Sequence, residues 1–221
     1  MGGGFVLEKM DEFFEKRIDG YDEHMLTNID CAKEFYPFTA SLLPVKDNIH
    51  ILDLGCGTGL ELEFYFKINP TANITGIDLS KKMLDVLRAK LPLYNINLIH
   101  GSYFDVPFGN DIFDCAVSVE SLHHFTFEQK ISLYKKLHSS LKDNSYFIIT
   151  DYFSMSDSEE KEHFLNLKKL KEEQGITDND FYHYDTPLTV NHEKEALLSA
   201  GFTSVEVVKN WGATHTLKAY K

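Results

Sequence analysis

His50-Ile-Leu-Asp-Leu-Gly-Cys-Gly-Thr-Gly59 is the stretch that decides the fold of this chain. Ile51, Leu52 and Leu54 form a short apolar run of the kind found in a buried parallel strand. The run ends in glycines, which let the backbone pass close to a ligand before a helix begins. The stretch therefore predicts a strand, a binding turn and a helix, and we expect a nucleoside on the turn.

The spacing of the glycines narrows the class of ligand. Gly55, Gly57 and Gly59 read G-x-G-x-G, whereas the dinucleotide fingerprint G-x-G-x-x-G aims backbone N–H groups at a pyrophosphate. Asp53, two residues ahead of the loop, would repel phosphate and suits a ligand with positive charge. A second predicted strand ends at Asp78, roughly 20 residues further on, which is the separation at which a carboxylate meets ribose hydroxyls. These features indicate an adenosine ligand.

Four ordered motifs carry a family resemblance: D-L-G-C-G-T-G at 53–59, G-I-D-L-S-x-x-M-L at 76–84, F-D-C-A-V-S at 113–118 and L-H-H at 122–124. With them the chain resembles the class I S-adenosylmethionine-dependent methyltransferases, in the broad subgroup that acts on small molecules. The resemblance implies an α/β, Rossmann-like, doubly wound fold. Its seven-stranded sheet would be mostly parallel with an antiparallel last strand, and a helical lid would cover it. S-adenosyl-L-methionine would be the cofactor.

The chain predicts one methyltransferase domain over residues 1–221, because its length and its apolar content of 43% suffice for one core. Within it we expect an N-terminal helical cap at 1–45 and a helical lid insertion at 155–190. The lid contains a charged amphipathic helix predicted at 159–174. Gly2 to Gly4 predict a flexible start.

The resemblance assigns the cofactor contacts. Asp53 and Gly55 would hold the methionine end, with Gly57 in the same loop, and Asp78 would bind the ribose. Asp78 could instead be the N-cap of the following helix, but Ser80 is already a suitable N-cap residue.

The adenine end has its own candidates. Leu79 would cover one adenine face, or belong to the core. Ser102 stands where the family often has an acid that contacts the adenine amino group; its hydroxyl can accept a hydrogen bond. The backbone of Tyr103 would read another adenine edge.

Two further candidates lie nearer the reacting methyl group. Tyr21, in a Y-D element, would close over the cofactor's carboxylate, or only pack in the lid. Glu120 would touch the cofactor or the acceptor, or lie on the surface.

Histidines supply the catalytic candidates, because imidazole titrates near neutral pH. His123 and His124 follow the fourth strand, and we expect one to face the crevice, with His124 preferred, and the other to pack. Tyr184 is a second candidate for proton removal. A metal site built from His123, His183, Asp185 and His192 can be imagined, but the spacing fits no ligand pattern, so no metal is predicted.

Charge and composition argue against a nucleic-acid-binding, a membrane-spanning or a secreted protein. A net charge of -12 opposes approach to nucleic acid and to anionic membranes. No segment is apolar enough to span a bilayer, and there is no signal-peptide pattern. Three scattered cysteines favour a reducing cytoplasm. We therefore predict a cytoplasmic enzyme that transfers methyl groups to a small molecule, of undetermined oligomeric state. A non-catalytic sensor of S-adenosylmethionine or S-adenosylhomocysteine and a nucleotide-dependent oxidoreductase remain as alternatives.

Overall fold

The computed structural model describes residues 5–221. The expectation for Gly2 to Gly4 and the first four residues of the predicted cap lie outside the described residues. Seven strands form one sheet: β1 His50–Leu54, β2 Asn73–Asp78, β3 Asn95–His100, β4 Phe113–Val119, β5 Leu141–Tyr152, β6 Ser204–Trp211 and β7 Thr214–Tyr220.

The order of the strands confirms the predicted sheet. It runs β3-β2-β1-β4-β5-β7-β6; β1 to β5 pair in parallel, and β7 lies antiparallel between β5 and β6. The chain winds outward from β1 through β2 to β3 and then returns to β4 on the other side of β1. Ligands of open sheets bind outside the carboxyl ends of the strands at such a reversal. The crevice between β1 and β4 is therefore the expected site.

Eight helices flank the sheet among the described residues: α1 Met10–Lys16, α2 Tyr21–Asn28, α3 Ala32–Leu42, α4 Leu60–Ile68, α5 Lys81–Lys90, α6 Phe127–Ser140, α7 Asp157–Glu173 and α8 Val190–Ser199. Their starts follow local chemistry, since Ser80 accepts a hydrogen bond from the N–H of Met83 and Thr126 forms a capping box with Gln129. None of these helices is long and apolar enough to cross a membrane.

The core lies on both faces of the sheet. Along β1, Ile51 packs into the cluster under α3, α4 and α5, whereas Leu52 and Leu54 pack into the cluster under α6 and α8. Successive side chains of a strand point to opposite faces. The apolar run of β1 is nearly continuous because both of its faces are covered.

Strand β5 differs most from the sequence prediction. The sequence predicts a fifth strand over residues 146–151, but β5 begins at Leu141, directly after α6. Its pairing with β4 shifts register between Phe113 and Cys115, and Asn144 adopts a positive φ of 60°. Such a bulge breaks the alternation by which a strand is recognised, so the sequence marked only the regular part.

The N-terminal segment is tied to the segment that follows α7. The N–H of Met10 donates to the carbonyl of Phe181 at 2.9 Å, and that of His183 donates to the carbonyl of Glu8 at 3.0 Å. Lys9 adds an exposed ion pair with Asp180 at 2.5 Å. Parts of the predicted cap and of the predicted lid thus form one connected cover.

Candidate active site

The glycine loop between β1 and α4 has a backbone that other residues rarely adopt. Gly55, Gly57 and Gly59 have φ angles of +73°, +47° and +75°, in the left-handed region that favours glycine. A Cβ on Gly55 would lie 1.9 Å from Ser121 Oγ, whereas a Cβ on Gly57 would meet no atom of the described chain within 4 Å. Packing therefore requires glycine at 55, and the space beside Gly57 is open.

Asp78, at the end of β2, connects the loop to the next helix. Its Oδ2 accepts the N–H of Gly57 at 2.8 Å, and its Oδ1 accepts the N–H of Ser80 at 2.8 Å. Burial raises the pKa of this carboxyl, and the two N–H groups oppose that rise. Ser80, and not Asp78, caps α5 with its side chain. Asp78 thus presents its carboxyl group at the mouth of the crevice.

A first cavity of about 70 Å³ lies at the carboxyl ends of β1, β2 and β4. It is lined by Met10, Phe14, Tyr21, Gly55, Gly57, Asp78, Leu79, Met83, Gly101, Ser102, Tyr103, Val119, Glu120, Ser121, His124, Phe125 and Phe181. Eight of the nine residues predicted to contact the cofactor, all except Asp53, are among them.

The cavity is small for a nucleoside, because ligand pockets usually enclose about 300–1,000 Å³. Met10 and Phe14 from α1 and Phe181 from the cover form part of its lining. These side chains must move outward to admit a bound adenosine. The cover described above is therefore part of the site.

Asp53 lies beneath the loop and does not reach the cavity. It is 1% exposed, and neither of its carboxylate oxygens has a hydrogen-bond partner among residues 5–221. Burial raises its pKa well above the usual range, and the neighbouring Glu61 carboxyl raises it further. Any effect of Asp53 on a ligand must therefore act through the loop.

Glu120 follows β4 with a strained backbone. Its φ is 49°, which costs a non-glycine residue about 1–3 kcal/mol and is found most often at functional sites. Its buried Oε1 has no hydrogen-bond partner in the described chain. Burial, and then the charge of Asp151, raise the pKa of Glu120 to about 8. The expected surface alternative is therefore incorrect, and Glu120 lines both cavities.

The other predicted contact residues are held by neighbours. Ser102 Oγ accepts the N–H of Phe104 at 3.2 Å. The Tyr103 hydroxyl donates to the carbonyl of Ser121 at 3.1 Å, and the backbone carbonyl of Tyr103 accepts a hydrogen bond from the Lys136 ammonium. Tyr21 begins α2, where burial raises the pKa of its hydroxyl.

His123 is held by a buried carboxylate. Its Nδ1 lies 2.5 Å from Asp151 Oδ1, and the other oxygen of Asp151 accepts the N–H of Leu122 at 2.8 Å. Burial alone would lower the pKa of His123, but Asp151 and then Asp185 raise it well above the usual range. The ring orientation is thus fixed by β5, which lies next to β4 in the sheet.

His124 lies between the two cavities and contributes to both linings. Its Nδ1 is 3.1 Å from the carbonyl oxygen of Tyr184, and burial lowers its pKa to about 3. His124 lines the first cavity, whereas His123 does not line it and is held by Asp151. Both histidines also border the second cavity.

The second cavity has a volume of about 880 Å³ and lies next to the first. Four residues line both cavities: Phe14, Tyr21, Glu120 and His124. The second cavity is further lined by Phe13, Lys16, Arg17, Asp19, Gly20, His24, Met25, Asn28, Ile29, Asp30, His123, Tyr152, His183, Asp185, Trp211, Gly212, Ala213 and Thr214. Its wall combines aromatic rings with histidines.

Tyr184 does not enter the site. Its ring packs edge-on against Phe5 at 6.0 Å, and it lines neither cavity. His183 and Asp185, the residues on either side of it, both border the second cavity. Alternate residues of an extended segment point in opposite directions, so Tyr184 faces away. Its carbonyl, and not its hydroxyl, contacts His124.

The charged helix α7 contributes no residue to either cavity. The covering residues come instead from α1, α2 and the segment after α7. That α7 acts as a lid over the acceptor stays a prediction.

Comparison with known proteins agrees with this geometry. Residues 51–144 match the methyltransferase domain family. A carboxy-S-adenosyl-L-methionine synthase of Campylobacter fetus subsp. fetus is 25% identical over 97% of this chain and 96% of its own length. A demethylmenaquinone methyltransferase of Listeria welshimeri is 32% identical, but the match spans only 48% of each chain. The solved S-adenosylmethionine-dependent methyltransferase of Mesorhizobium loti superposes with a TM-score of 0.62, at 19% identity, over 84% of this chain and 96% of that one.

The sheet order, the glycine loop and these matches agree with an enzyme of the methyltransferase class. Residues 51–144 match the methyltransferase domain family, and with the relatives they support a class I S-adenosylmethionine-dependent methyltransferase that uses S-adenosyl-L-methionine as its cofactor. The residues present fit that molecule: the face of Gly57 is open, Asp78 offers a carboxylate, and Glu120 has a buried oxygen without a partner among residues 5–221.

Sequence reasoning missed some residues of the site. Asp151 ends a strand with no motif of its own, yet the parallel pairing of β4 with β5 brings it beside His123. The register of two neighbouring strands would have indicated it. Phe14 carries no comparable signal, because aromatic residues are common in any core.

Proposed function

We propose that this enzyme transfers the methyl group of S-adenosylmethionine to a small-molecule acceptor bound in the second cavity. The observation that carries this proposal is that Tyr21, Glu120 and His124 each line both cavities. A ligand in the first cavity and a ligand in the second would meet at these side chains. Methyl transfer needs such a meeting, since the reacting atoms must be aligned and shielded from water.

The proposed cofactor contacts follow the lining of the first cavity. Asp78 would accept hydrogen bonds from the ribose hydroxyls, and Gly55 and Gly57 would lie against the methionine end. Leu79 and Ser102 would border the adenine, with Tyr103 beside them. Tyr21 and Glu120 would lie near the methyl group, because they line both cavities.

The proposed acceptor is a compact molecule with an aromatic or other flat part. The second cavity is within the usual size of small-molecule sites. Tyr152 and Trp211 offer faces for ring stacking. A net charge of -12 opposes a nucleic-acid substrate.

Bound S-adenosylmethionine supplies a methyl group already activated on a sulfonium. The protein then has to orient the acceptor and accept its proton where the acceptor carries one. His124 is the residue proposed to orient the acceptor, since it lines both cavities. Asp151 would act as a positioning residue by fixing the ring of His123.

The proposed location is the cytoplasm. Cys56 and Cys115 are buried thiols, and Cys31 is an exposed one, which suits a reducing compartment.

A pair of cavity-filling variants tests the proposal. Ser102 lines only the first cavity and Ala213 only the second. Ser102→Phe should weaken S-adenosylhomocysteine binding at least tenfold, and Ala213→Phe should raise KM for the acceptor with cofactor affinity unchanged. Calorimetry and release of S-adenosylhomocysteine with a panel of phenols, amines and carboxylates provide the two readouts. Binding without acceptor-dependent release throughout the panel would instead support a sensor.

A further inference from the structure

Three groups capable of binding a metal meet at the wall of the second cavity. His123 Nε2 lies 3.5 Å from Asp185 Oδ1, and His124 Nδ1 lies 3.4 Å from the same oxygen. One ligand atom from each of the three residues falls within 4.8 Å of the others. The two histidines lie about 60 residues before Asp185 in the sequence, as His124 does before Tyr184. Zinc sites are recognised in a sequence by ligands a few residues apart, so the sequence did not reveal this group.

The distances are those of a preformed site. Nitrogen and oxygen ligands lie about 2.0–2.2 Å from zinc, so the ligands of a tetrahedral site are about 3.4 Å apart. The two distances to Asp185 Oδ1 match that separation, and the two histidine nitrogens lie within 4.8 Å of each other. Nδ1 of His124 donates to the carbonyl of Tyr184 at 3.1 Å, so a metal on that nitrogen would displace the proton and the Tyr184 carbonyl would have to turn away.

The support behind His123 is also that of a metal ligand. Histidine ligands usually donate their second ring N–H to a carboxylate, which fixes the tautomer and leaves the other nitrogen free to coordinate. Asp151 accepts from His123 Nδ1 at 2.5 Å and leaves Nε2 facing Asp185. A metal bound there would displace the proton from Nε2. Asp151 is itself fixed by the N–H groups of Leu122 and Tyr152 at 2.8 and 2.9 Å.

We propose that His123 Nε2, His124 Nδ1 and Asp185 Oδ1 bind a divalent ion of the zinc, cobalt or iron type, with a coordination position open to the second cavity. Two imidazoles and one carboxylate favour such ions over Mg²⁺ or Ca²⁺, which prefer oxygen ligands. Since all three residues border the second cavity, the ion would present a Lewis acid to an acceptor oxygen held there. Only that role rests on the proposed function.

The metal site can be tested without cofactor or acceptor. The chelator-treated protein is titrated with Zn²⁺ by calorimetry and with Co²⁺ by visible absorption, which reports tetrahedral coordination. We expect one ion per chain at this site, and no heat with Mg²⁺. Asp185→Asn, at a half-exposed position where folding is least at risk, should weaken Zn²⁺ binding at least tenfold. Asp151→Asn should weaken it by about 10- to 100-fold through His123.

A matched control is another histidine paired with a carboxylate. His192 Nδ1 lies 2.8 Å from Glu160 Oε1, and neither residue lines the first or the second cavity. His192→Ala should leave the affinity and the Co²⁺ spectrum unchanged. The proposal fails if Asp185→Asn binds Zn²⁺ as wild type does, or if His192→Ala removes the signal. Neither result would count against the proposed methyl transfer, which is tested by the release of S-adenosylhomocysteine.

Discussion

The N–H of Gly57 donates to Asp78 Oδ2 at 2.8 Å, so the carboxylate proposed to meet the ribose also fixes the loop beneath the cofactor. One residue thus shapes two sides of the same site. Its second oxygen holds the N–H of Ser80. Loss of the negative charge should therefore act on binding both directly and through the loop.

Asp78→Asn should weaken S-adenosylhomocysteine binding about 10- to 100-fold, which is roughly 1.4–2.7 kcal/mol. The amide keeps the shape but offers one acceptor oxygen in place of two. Calorimetry measures the change. Asp85→Asn is the control, because Asp85 is an exposed acid on α5 that pairs only with Lys81 among the described residues. Affinity of Asp78→Asn within twofold of wild type would argue against the ribose contact.

Gly55→Ala should destabilise the fold more than Gly57→Ala. Both positions have positive φ, which costs an alanine about 1–2 kcal/mol. Only at Gly55 would the new Cβ collide, 1.9 Å from Ser121 Oγ. Urea denaturation should give a larger loss for Gly55→Ala, and Ser121→Gly in the same chain should recover the excess. Equal losses for the two single variants would contradict the packing argument.

Lys130 and Glu193 form an ion pair at 2.5 Å between α6 and α8, with both side chains buried. Glu193→Ala should cost about 3–5 kcal/mol, because it leaves Lys130 buried without its partner. The Tyr134 hydroxyl, which also donates to Glu193, loses its acceptor. The triple variant Lys130→Met, Glu193→Leu and Tyr134→Phe should recover most of the lost free energy of unfolding. Denaturant unfolding measures both variants.

The control for that pair is Lys81, which forms an exposed ion pair with Asp85. Lys81→Ala should change the free energy of unfolding by less than about 0.5 kcal/mol. A Glu193→Ala loss of that same small size would show that the buried pair contributes little.

The pair of His192 with Glu160 should make stability depend weakly on pH. The hydrogen bond that His192 donates to Glu160 raises the pKa of His192 in the folded protein. A raised folded pKa adds stability that is fully present below the unfolded pKa of about 6.5 and is lost as pH rises through the folded value. The gain is less than about 0.5 kcal/mol, because the His192 side chain is 37% exposed.

Glu160→Gln provides the comparison. The difference in free energy of unfolding between wild type and this variant should be larger at about pH 5.5 than at about pH 8.5. A difference that grows with pH would have the wrong sign for this pair.

The fold was predictable because its signals are local. The strand run of β1, the glycine loop and the cap at Ser80 each follow from a few neighbouring residues, and they determine how the sheet winds. The start of β5 was not predictable, because the bulge at Asn144 interrupts the alternation of inward and outward side chains. A register shift is decided by the partner strand, which a local pattern does not contain.

The candidate site was predictable where residues directly follow strands. Asp78 and Glu120 were found because strand ends meet at one edge of a parallel sheet. The direction of the Tyr184 side chain was not predictable, because its extended segment is not paired with a strand that would show which residues face inward. Asp53 shows a related limit, since its place in the motif is next to the ligand loop but its side chain is buried beneath it.

Phe14 forms part of both cavities, and this has a kinetic consequence. An acceptor seated against its ring would hold α1 in place and block the outward path of the nucleoside. Substrates would then add in a compulsory order, the nucleoside first, and the demethylated product would depart last. Product inhibition by S-adenosylhomocysteine should accordingly be competitive against S-adenosylmethionine and noncompetitive against the acceptor.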